Sequence, residues 1–574
     1  MRNFQVSFIF YDIADMLEIK GENFFKIRAY RRAAHAVENL TEEIDIVAKQ
    51  SRLREIDGIG EALAAKIEEI ISTGTCDYYE ELKQIVPRGL VDMLKIPGLG
   101  GKKIKVIYDG LGITSISELE KAAKAQKLRN LPGIGVKTEK AIQKSIQTYR
   151  GHSKKILLAT ALPIAERLVS ILSNMQEVEH IAIAGSLRRK KEMVKDIDIL
   201  VGTTSQEVVM EDFLKFPGIS KVLAKGPTKV SVILDMGLQM DLRAVESRSF
   251  YSALQHFTGS KEHNTKLRSL AIKKGYKLNE YGVFSKDDEE ETFYPKSEAD
   301  LYEKLGMPYI IPELREDRGE IEAALDRRLP KVVNQADICG DLHIHSNYSD
   351  GVNDIKTIAM AARDMGYEYI AITDHSKSLK IARGLDERRL FEQIELIKRL
   401  NEEIEDINIL CGAEVDILSD GKLDFDDDIL KELDVVIASI HSGFRQDKET
   451  ITGRIISACE NPYVNIIAHP TGRLLGRREP YAVDIERVLE VAAQTGTVME
   501  INASPDRLDL NDYTVKRAKE LGVKIAINTD AHHIDSLSDM TYGTWVARRG
   551  WLEKDNIINT LPLDELLKVL RHNK

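Results

Sequence analysis

From residue 339 onward, strand-like runs alternate with helical ones: DLHIHS, YEYIAITDH, INILCGAEVDI, LDVVIASIHS, VNIIAHP, TVMEINAS and VKIAINTDAHH. This alternation constrains the fold more than any other feature. Parallel strands joined by crossover helices have few stable arrangements, and about seven βα units are enough to close a barrel. In such architectures functional groups gather at the C-terminal ends of the strands. Here those ends carry metal-ligand residue types. His343 and His345 end the first strand, Asp350 lies in its loop, His375 ends the second, and Glu414 is in the third. His441 ends the fourth, His469 the fifth, and Asp530 with His532 the seventh. Side chains at i and i+2 share a strand face, so His343/His345 and Asp530/His532 can each point together into one site. A mixed imidazole and carboxylate set of this size suits Zn²⁺, Mn²⁺ or Fe, and requires several ions at about four to six ligands each. A multi-metal cluster generates hydroxide near neutral pH and holds phosphate oxygens, which points to phosphoester hydrolysis.

At 574 residues the chain is too long for one core and contains several modules. The first 150 residues read as helical, with three similar turns, DGIG (57–60), PGLG (97–100) and PGIG (132–135), between short helices. In such turns Gly58, Gly60, Gly98, Gly100, Gly133 and Gly135 let the backbone approach a phosphate and bind it without reading bases. Lys102, Lys103 and Lys105 after the second turn, and Lys137 and Lys140 after the third, supply cations.

From about 155 to 250 the pattern changes to strands mixed with helices. The stretch AGSLRRKKEMVKDIDILV (184–201) places Asp196 and Asp198 on one strand face, with apolar Ile197 and Ile199 on the other. A third carboxylate, Asp241, lies in LQMDLRAV beside Gln239 and Arg243 on its polar face. Carboxylates so close repel unless cations sit between them, the arrangement of a two-metal Mg²⁺ or Mn²⁺ site for phosphoryl transfer. Gly185 and Ser186 open a helix whose N–H groups favour a phosphate, and Arg189 adds a charged clamp.

The net charge of −11 hides an asymmetry: residues 339–574 carry 29 Lys+Arg against 42 Asp+Glu, while the first 338 carry 52 against 50. An acidic total therefore does not exclude nucleic acid as a partner. No run is long and apolar enough for a membrane span, and the N-terminus lacks a secretory pattern. Four scattered cysteines form no disulfide framework, which places the chain in a reducing cytoplasm.

The HxH, TDH, Glu, His, His and DxH elements resemble the PHP (polymerase and histidinol phosphatase) family over about 235 residues. That resemblance implies a distorted seven-stranded barrel with a trinuclear metal site on the nine residues above, and makes Arg473, after AHPTGR, a candidate phosphate-binding cation. Residues 1 to about 315 resemble family X DNA polymerases. Besides the acidic triad, HFTGSKEHNTKLR (256–268) is similar to that family's thumb segment. By that match Phe257 and Gly259 flank the sugar, Asn264 meets the incoming base or minor groove, and Arg268 the templating strand. His256 stands where relatives carry Tyr, so sugar discrimination does not carry over. FFKIRAYRRAAHAVENL with the first glycine turn resembles the family's lyase-type domain, with Lys26 and Tyr30 at phosphate-pocket positions and Lys66 at the Schiff-base position, although Ala62 replaces a basic neighbour.

Together these resemblances imply a bacterial or archaeal family X polymerase with a C-terminal PHP nuclease. The expected modules are a lyase-like helix-hairpin-helix domain (1–85), fingers (86–152), an α/β nucleotidyltransferase palm (153–250), a thumb (251–318), a linker (319–338) and a (β/α)7 PHP barrel (339–574). It would act as a monomer on gapped or primer-template DNA with dNTPs, filling gaps in repair, with 3′-5′ exonuclease and abasic-site cleavage in the barrel. Two other readings stay open: a DNA-binding scaffold with a silent palm, and a barrel that acts on small phosphomonoesters.

Overall fold

The computed structural model describes residues 2–38, 44–56, 58–94, 96, 98–152, 155–235, 237–286 and 292–571. Asp57 and Pro97, the first residues of two of the glycine turns, lie outside them. The chain forms two compact units, the first made by residues up to Lys154 and the second by nearly all the rest.

The first unit is helical and has one apolar core, to which Arg2–Lys20 contributes Phe10, Ile13 and Leu17 at helical spacing. Ile67 and Ile70 of Glu61–Thr73, and Ile104 and Ile107 of Gly101–Leu111, close around it. Gly60 and Gly100 precede these two helices, and left-handed Gly74 and Gly112 end them.

The second unit begins with a five-stranded sheet in the order Val178–Ile183, Asp196–Thr203, Gln239–Val245, Lys229–Leu234, Ile219–Lys225. Asp196–Thr203 and Gln239–Val245 run parallel, with Asp198 beside Asp241. Ile197 and Ile199 enter a core shared with helix Leu158–Leu172, which turns the intervening aspartates to the opposite face. Helices Phe250–Thr258 and Lys261–Lys273 and a three-stranded sheet follow. The stretch 319–338, expected as a linker, is packed: Ile321, Ala324, Val332 and Val333 are buried, and Glu320 Oε1 lies 2.7 Å from His263 Nδ1. Its charged residues flank apolar ones at helical spacing, and composition alone registers only the charge.

Glu298 ties this region together. Its carboxylate accepts bonds from Arg188 (2.5 and 3.1 Å), which ends the helix opened by Gly185, and from fully buried Arg315 (2.7 Å). Burial alone would raise its pKa, but the two guanidiniums outweigh burial and hold it at about 2. Its stabilising contribution is therefore complete above the usual carboxylate range and is lost as pH falls towards 2. Glu298→Gln is expected to cost about 3–5 kcal/mol at neutral pH, because Arg315 is left buried without its counter-charge. Urea unfolding at pH 7 and pH 3 should show the gap between variant and wild type narrowing in acid.

The remainder is a seven-stranded parallel sheet in sequence order: Gly340–Ile344, Tyr369–Ile372, Asn408–Asp416, Val435–Ser439, Ile466–Ile467, Val498–Asn502, Ile525–Asn528. It closes nearly to a barrel, with Ile344 bridging to Ala531 and the His345 N–H donating to the Ala531 carbonyl (2.9 Å). Strand alternation divides its side chains between two cores. Ile370, Ile409, Val436, Met499 and Ile527 pack outward against the helices, whereas Tyr369, Leu410, Ile437, Val498 and Ala526 fill the interior. Leu566 and Leu570 of the C-terminal helix Leu563–Arg571 plug the bottom.

Candidate functional sites

The alternation that fills the barrel floor also selects what reaches its mouth. Tyr369, Ala371 and Thr373 lead to His375; Leu410 and Gly412 lead to Glu414; Val435, Ile437 and Ser439 lead to His441. His469 and Asp530 are placed differently, by left-handed backbone at φ +29° and +55°, sparsely populated for residues with a side chain.

The nine predicted residues come together. Ligand atoms converge in three overlapping groups: His345, Asp350, His375 and His532; His343, His345 and Asp530; His375, Glu414 and His441. His469 joins them with Nε2 at 3.0 Å from Glu414 Oε1. Several contacts would accommodate a cation. His343 Nε2 faces His345 Nε2 at 3.2 Å, and His375 Nδ1 lies 2.8 Å from Glu414 Oε2, yet neither of the latter atoms has a hydrogen bond. Burial and the neighbouring His532 and His375 push His345 down to about 3, so its lone pair stays free. The donor set fits a multinuclear metal centre.

The sixth strand, for which sequence analysis found no ligand, supplies a residue that orients the others. Glu500, fully buried, faces His343 Nδ1 at 2.8 Å and accepts from the His469 N–H at 2.8 Å. It fixes which imidazole nitrogen of His343 faces the cluster. Its signal was present in TVMEINAS, where Glu500 and Asn502 alternate with apolar residues. Arg473, expected near phosphate, points elsewhere: its guanidinium is bound to Glu192 (2.5 and 3.1 Å) and to the Leu508 carbonyl. Arg507, with Nε 3.8 Å from Asp530 Oδ2, is a cation beside the cluster.

In the five-stranded sheet, burial and the charges of Asp196 and Asp241 push Asp198 up to about 7. Asp196 is also raised, by burial and then by Asp241. Asp241 is lowered: burial opposes this, but Lys229, whose Nζ lies 2.5 Å from Oδ2, and Gln239, which donates to Oδ1 at 3.0 Å, prevail. A β-carbon on Gly185, which has φ +63°, would sit 2.2 Å from Asp198 Oδ2, so only glycine fits over the carboxylates. The crowded acids fit divalent cations.

Beside them lies a cleft of about 570 Å³ lined by Arg189, Lys191, Asp198, Arg243, His256, Phe257, Gly259, Asn264, Arg268 and Glu316, among others. Arg189 reaches it with its guanidinium already engaged by Glu316 (2.9 Å) and the Thr258 carbonyl (2.6 Å). Arg243 covers the Phe257 ring at 4.4 Å. Asn264 donates to the His256 carbonyl (2.6 Å) and accepts from Gln255 (2.8 Å), under Gly259 at φ +31°. Ser186 is half-buried beside Gly185.

Four parts of the chain match described families: "Helix-hairpin-helix domain" over 1–76, "SAM-like Helix-hairpin-helix tandem" over 90–148, "DNA polymerase beta thumb" over 253–316 and "PHP domain" over 341–504. The chain is 42% identical over 563 residues to the DNA polymerase/3′-5′ exonuclease PolX of Bacillus subtilis (strain 168), covering 98% of each. It belongs to the PolX family. Over shorter stretches the chain is also similar to probable phosphatases of Thermoanaerobacter sp. (strain X514), 35% identical over 231 residues (38% of this chain, 89% of that one), and of Caldanaerobacter subterraneus, 36% over 205 (33% and 75%).

The helical unit of this PolX chain repeats one turn three times. Ile59, Leu99 and Ile134 are buried anchors whose N–H groups donate to the carbonyls three residues back, at 3.0, 3.0 and 3.1 Å. Gly58, Gly98 and Gly133 have φ near +80°, and a β-carbon on Gly60, Gly98, Gly133 or Gly135 would meet nothing within 4 Å. Gly100 precedes its helix in the same extended conformation as Gly60. Lys102 and Lys137 are exposed beside their turns. Elsewhere in the unit, Lys26 and Lys66 approach one ring: their Nζ atoms are 5.1 and 5.3 Å from the Tyr78 ring, which stacks on Tyr30 at 6.2 Å. Tyr78 escaped sequence analysis because an aromatic residue in a helix reads as core. No helix among the described residues is long and apolar enough to cross a membrane.

Proposed function

We propose that this chain is a DNA polymerase that fills short gaps during repair, and that its barrel is a 3′-5′ exonuclease that also cuts at abasic sites. The observation that carries the first half is the in-register pair Asp198 and Asp241, crowded under Gly185 beside a cationic cleft. Asp196, Asp198 and Asp241 would hold Mg²⁺ or Mn²⁺. Such metals activate a primer hydroxyl and neutralise the triphosphate when bound. Lys229 and Gln239 hold the Asp241 carboxylate in one orientation, and Arg189, Lys191 and Arg243 make the cleft positive for a dNTP. Phe257, Gly259 and Asn264 shape the sugar and base side of that cleft, and Arg268 faces the template.

In the barrel, His343, His345, Asp350, His375, Glu414, His441, His469, Asp530 and His532 would hold Zn²⁺, Mn²⁺ or Fe, which supply a nucleophile to a phosphodiester. The three glycine turns bind the DNA backbone, and Lys26, Tyr30 and Lys66 form a 5′-phosphate pocket. A gapped duplex with a 5′-labelled primer tests the whole reading: the primer should lengthen to fill the gap with dNTPs and Mn²⁺, and shorten without dNTPs. Release of phosphate from p-nitrophenyl phosphate faster than primer shortening would instead assign the barrel to small phosphomonoesters.

A further inference from the structure

We infer that the metal-binding barrel is a working part of the polymerase site, with Arg549 and Arg473 as positioning residues for the loop that feeds the catalytic strand. This rests on the proposal that the cleft binds the incoming nucleotide.

The segment from Arg189 to Val194 connects helix Gly185–Arg188 to strand Asp196–Thr203. It carries two cations of the cleft, Arg189 and Lys191, and ends two residues before Asp196. Lys190 within it has φ +56°, the left-handed position of a helix cap that the Lys190 and Lys191 N–H groups close on the Leu187 and Ser186 carbonyls (3.0 and 3.1 Å). The barrel holds the segment beyond this cap from outside. Arg549 Nη1 donates to the Arg189 carbonyl at 2.6 Å, the Trp545 ring lies 4.1 Å from Lys190 Nζ, and Arg473 grips both oxygens of Glu192 at 2.5 and 3.1 Å. Trp545 and Arg549 sit on helix Met540–Arg549, and Arg473 follows the fifth barrel strand.

Arg549 also sets the electrostatics of the cleft. It bonds Glu316 Oε1 (3.1 Å), the same carboxylate that holds Arg189 (2.9 Å) and Lys191 (3.2 Å), and is anchored by Asp512 (2.6 Å). Without it, Glu316 would draw more strongly on the two cations that a triphosphate needs. Arg549 is 3% exposed and Arg473 9%, so water cannot replace these bonds. A contact that only joined two modules could fall anywhere on the sheet. This one holds Arg189, Lys190 and Glu192, within seven residues of Asp196.

The test measures kcat and KM for single-nucleotide insertion, with exonuclease activity of the same preparations as the control. Glu192→Gln and Arg549→Met should each raise KM for dNTP about tenfold or more, a size typical of misplaced binding groups, while exonuclease stays within about twofold of wild type. Arg473→Glu should impair insertion further, and the swap Arg473→Glu with Glu192→Arg should recover most of it. Unchanged KM in both single variants, a swap no better than Arg473→Glu alone, or a parallel loss of exonuclease would each overturn the inference. No insertion by the wild-type protein would reject the polymerase proposal itself.

Discussion

Asp198→Asn is expected to lower nucleotide insertion about a thousandfold while leaving primer shortening at the wild-type rate, since metal-borne charge stabilisation supplies several kcal/mol to phosphoryl transfer. Asparagine keeps the shape under Gly185 and removes only the charge. In the metal-free protein that charge is a burden: burial and the neighbouring Asp196 and Asp241 push the Asp198 carboxyl up to about 7. A group raised this far costs stability above its pKa, because the folded state must shed a proton that it holds more tightly than the unfolded chain does. The variant should therefore unfold at a higher temperature than wild type in EDTA at pH 8, and lose that advantage when Mg²⁺ is added and the wild-type acids are neutralised. The same pKa sets the wild-type pH dependence. Below about 7 a proton competes with the metal for Asp198, so half-maximal insertion should require more Mg²⁺ at pH 6 than at pH 8. Equal insertion by both proteins would remove Asp198 from the site. Loss of activity without the gain in metal-free stability would mean that the residue is structural.

What the sequence could show depended on whether a residue's role was written in its local pattern. Strand alternation is such a pattern, and it put His343 with His345, and Asp196 with Asp198, on one strand face without long-range information. Glu500 was legible in the same way, as a polar residue in phase with the interior face of its strand, but it was passed over because it is not at a strand end. Lys229 shows a second kind of omission. It lies on the polar face of KVSVIL, yet nothing local says that its partner is Asp241 on the neighbouring strand. The contacts between barrel and five-stranded sheet lie wholly outside local pattern. Arg473 follows a metal-ligand strand and so looked like a phosphate-binding cation, whereas the structure pairs it with Glu192, 281 residues earlier. Long-range ion pairs leave no periodicity in either partner. The packing of 319–338 was hidden for a related reason, since Glu320 and Glu322 pair with His263 and Lys266 on an earlier helix.

Glu414→Gln is expected to abolish primer shortening, by about a thousandfold or more, and to lower the metal content of the purified protein. One carboxylate faces five imidazoles: His469 (3.0 Å) and His441 (3.4 Å) from Oε1, and His375 (2.8 Å), His345 (3.5 Å) and His343 (3.6 Å) from Oε2. A group so placed would help to hold the metal when it is bound, and the amide would turn N–H donors towards nitrogen lone pairs that metals should occupy. The contrast with Asp198 lies in the metal-free state. There Glu414 is held well below the usual carboxylate range: burial opposes this, but His441, His375 and His343 outweigh it. The carboxylate is a counter-charge rather than a burden, so Glu414→Gln should unfold at a lower temperature than wild type in EDTA, opposite to Asp198→Asn. Metal analysis, a nuclease assay and two melting curves decide it. Full metal content with intact nuclease activity would show that the convergence of these side chains is a packing solution rather than a catalytic centre. Loss of both activities together would mean that the barrel's shape has failed, in which case insertion should fall as expected for Arg549→Met. Retained insertion would place the defect in the hydrolytic chemistry alone.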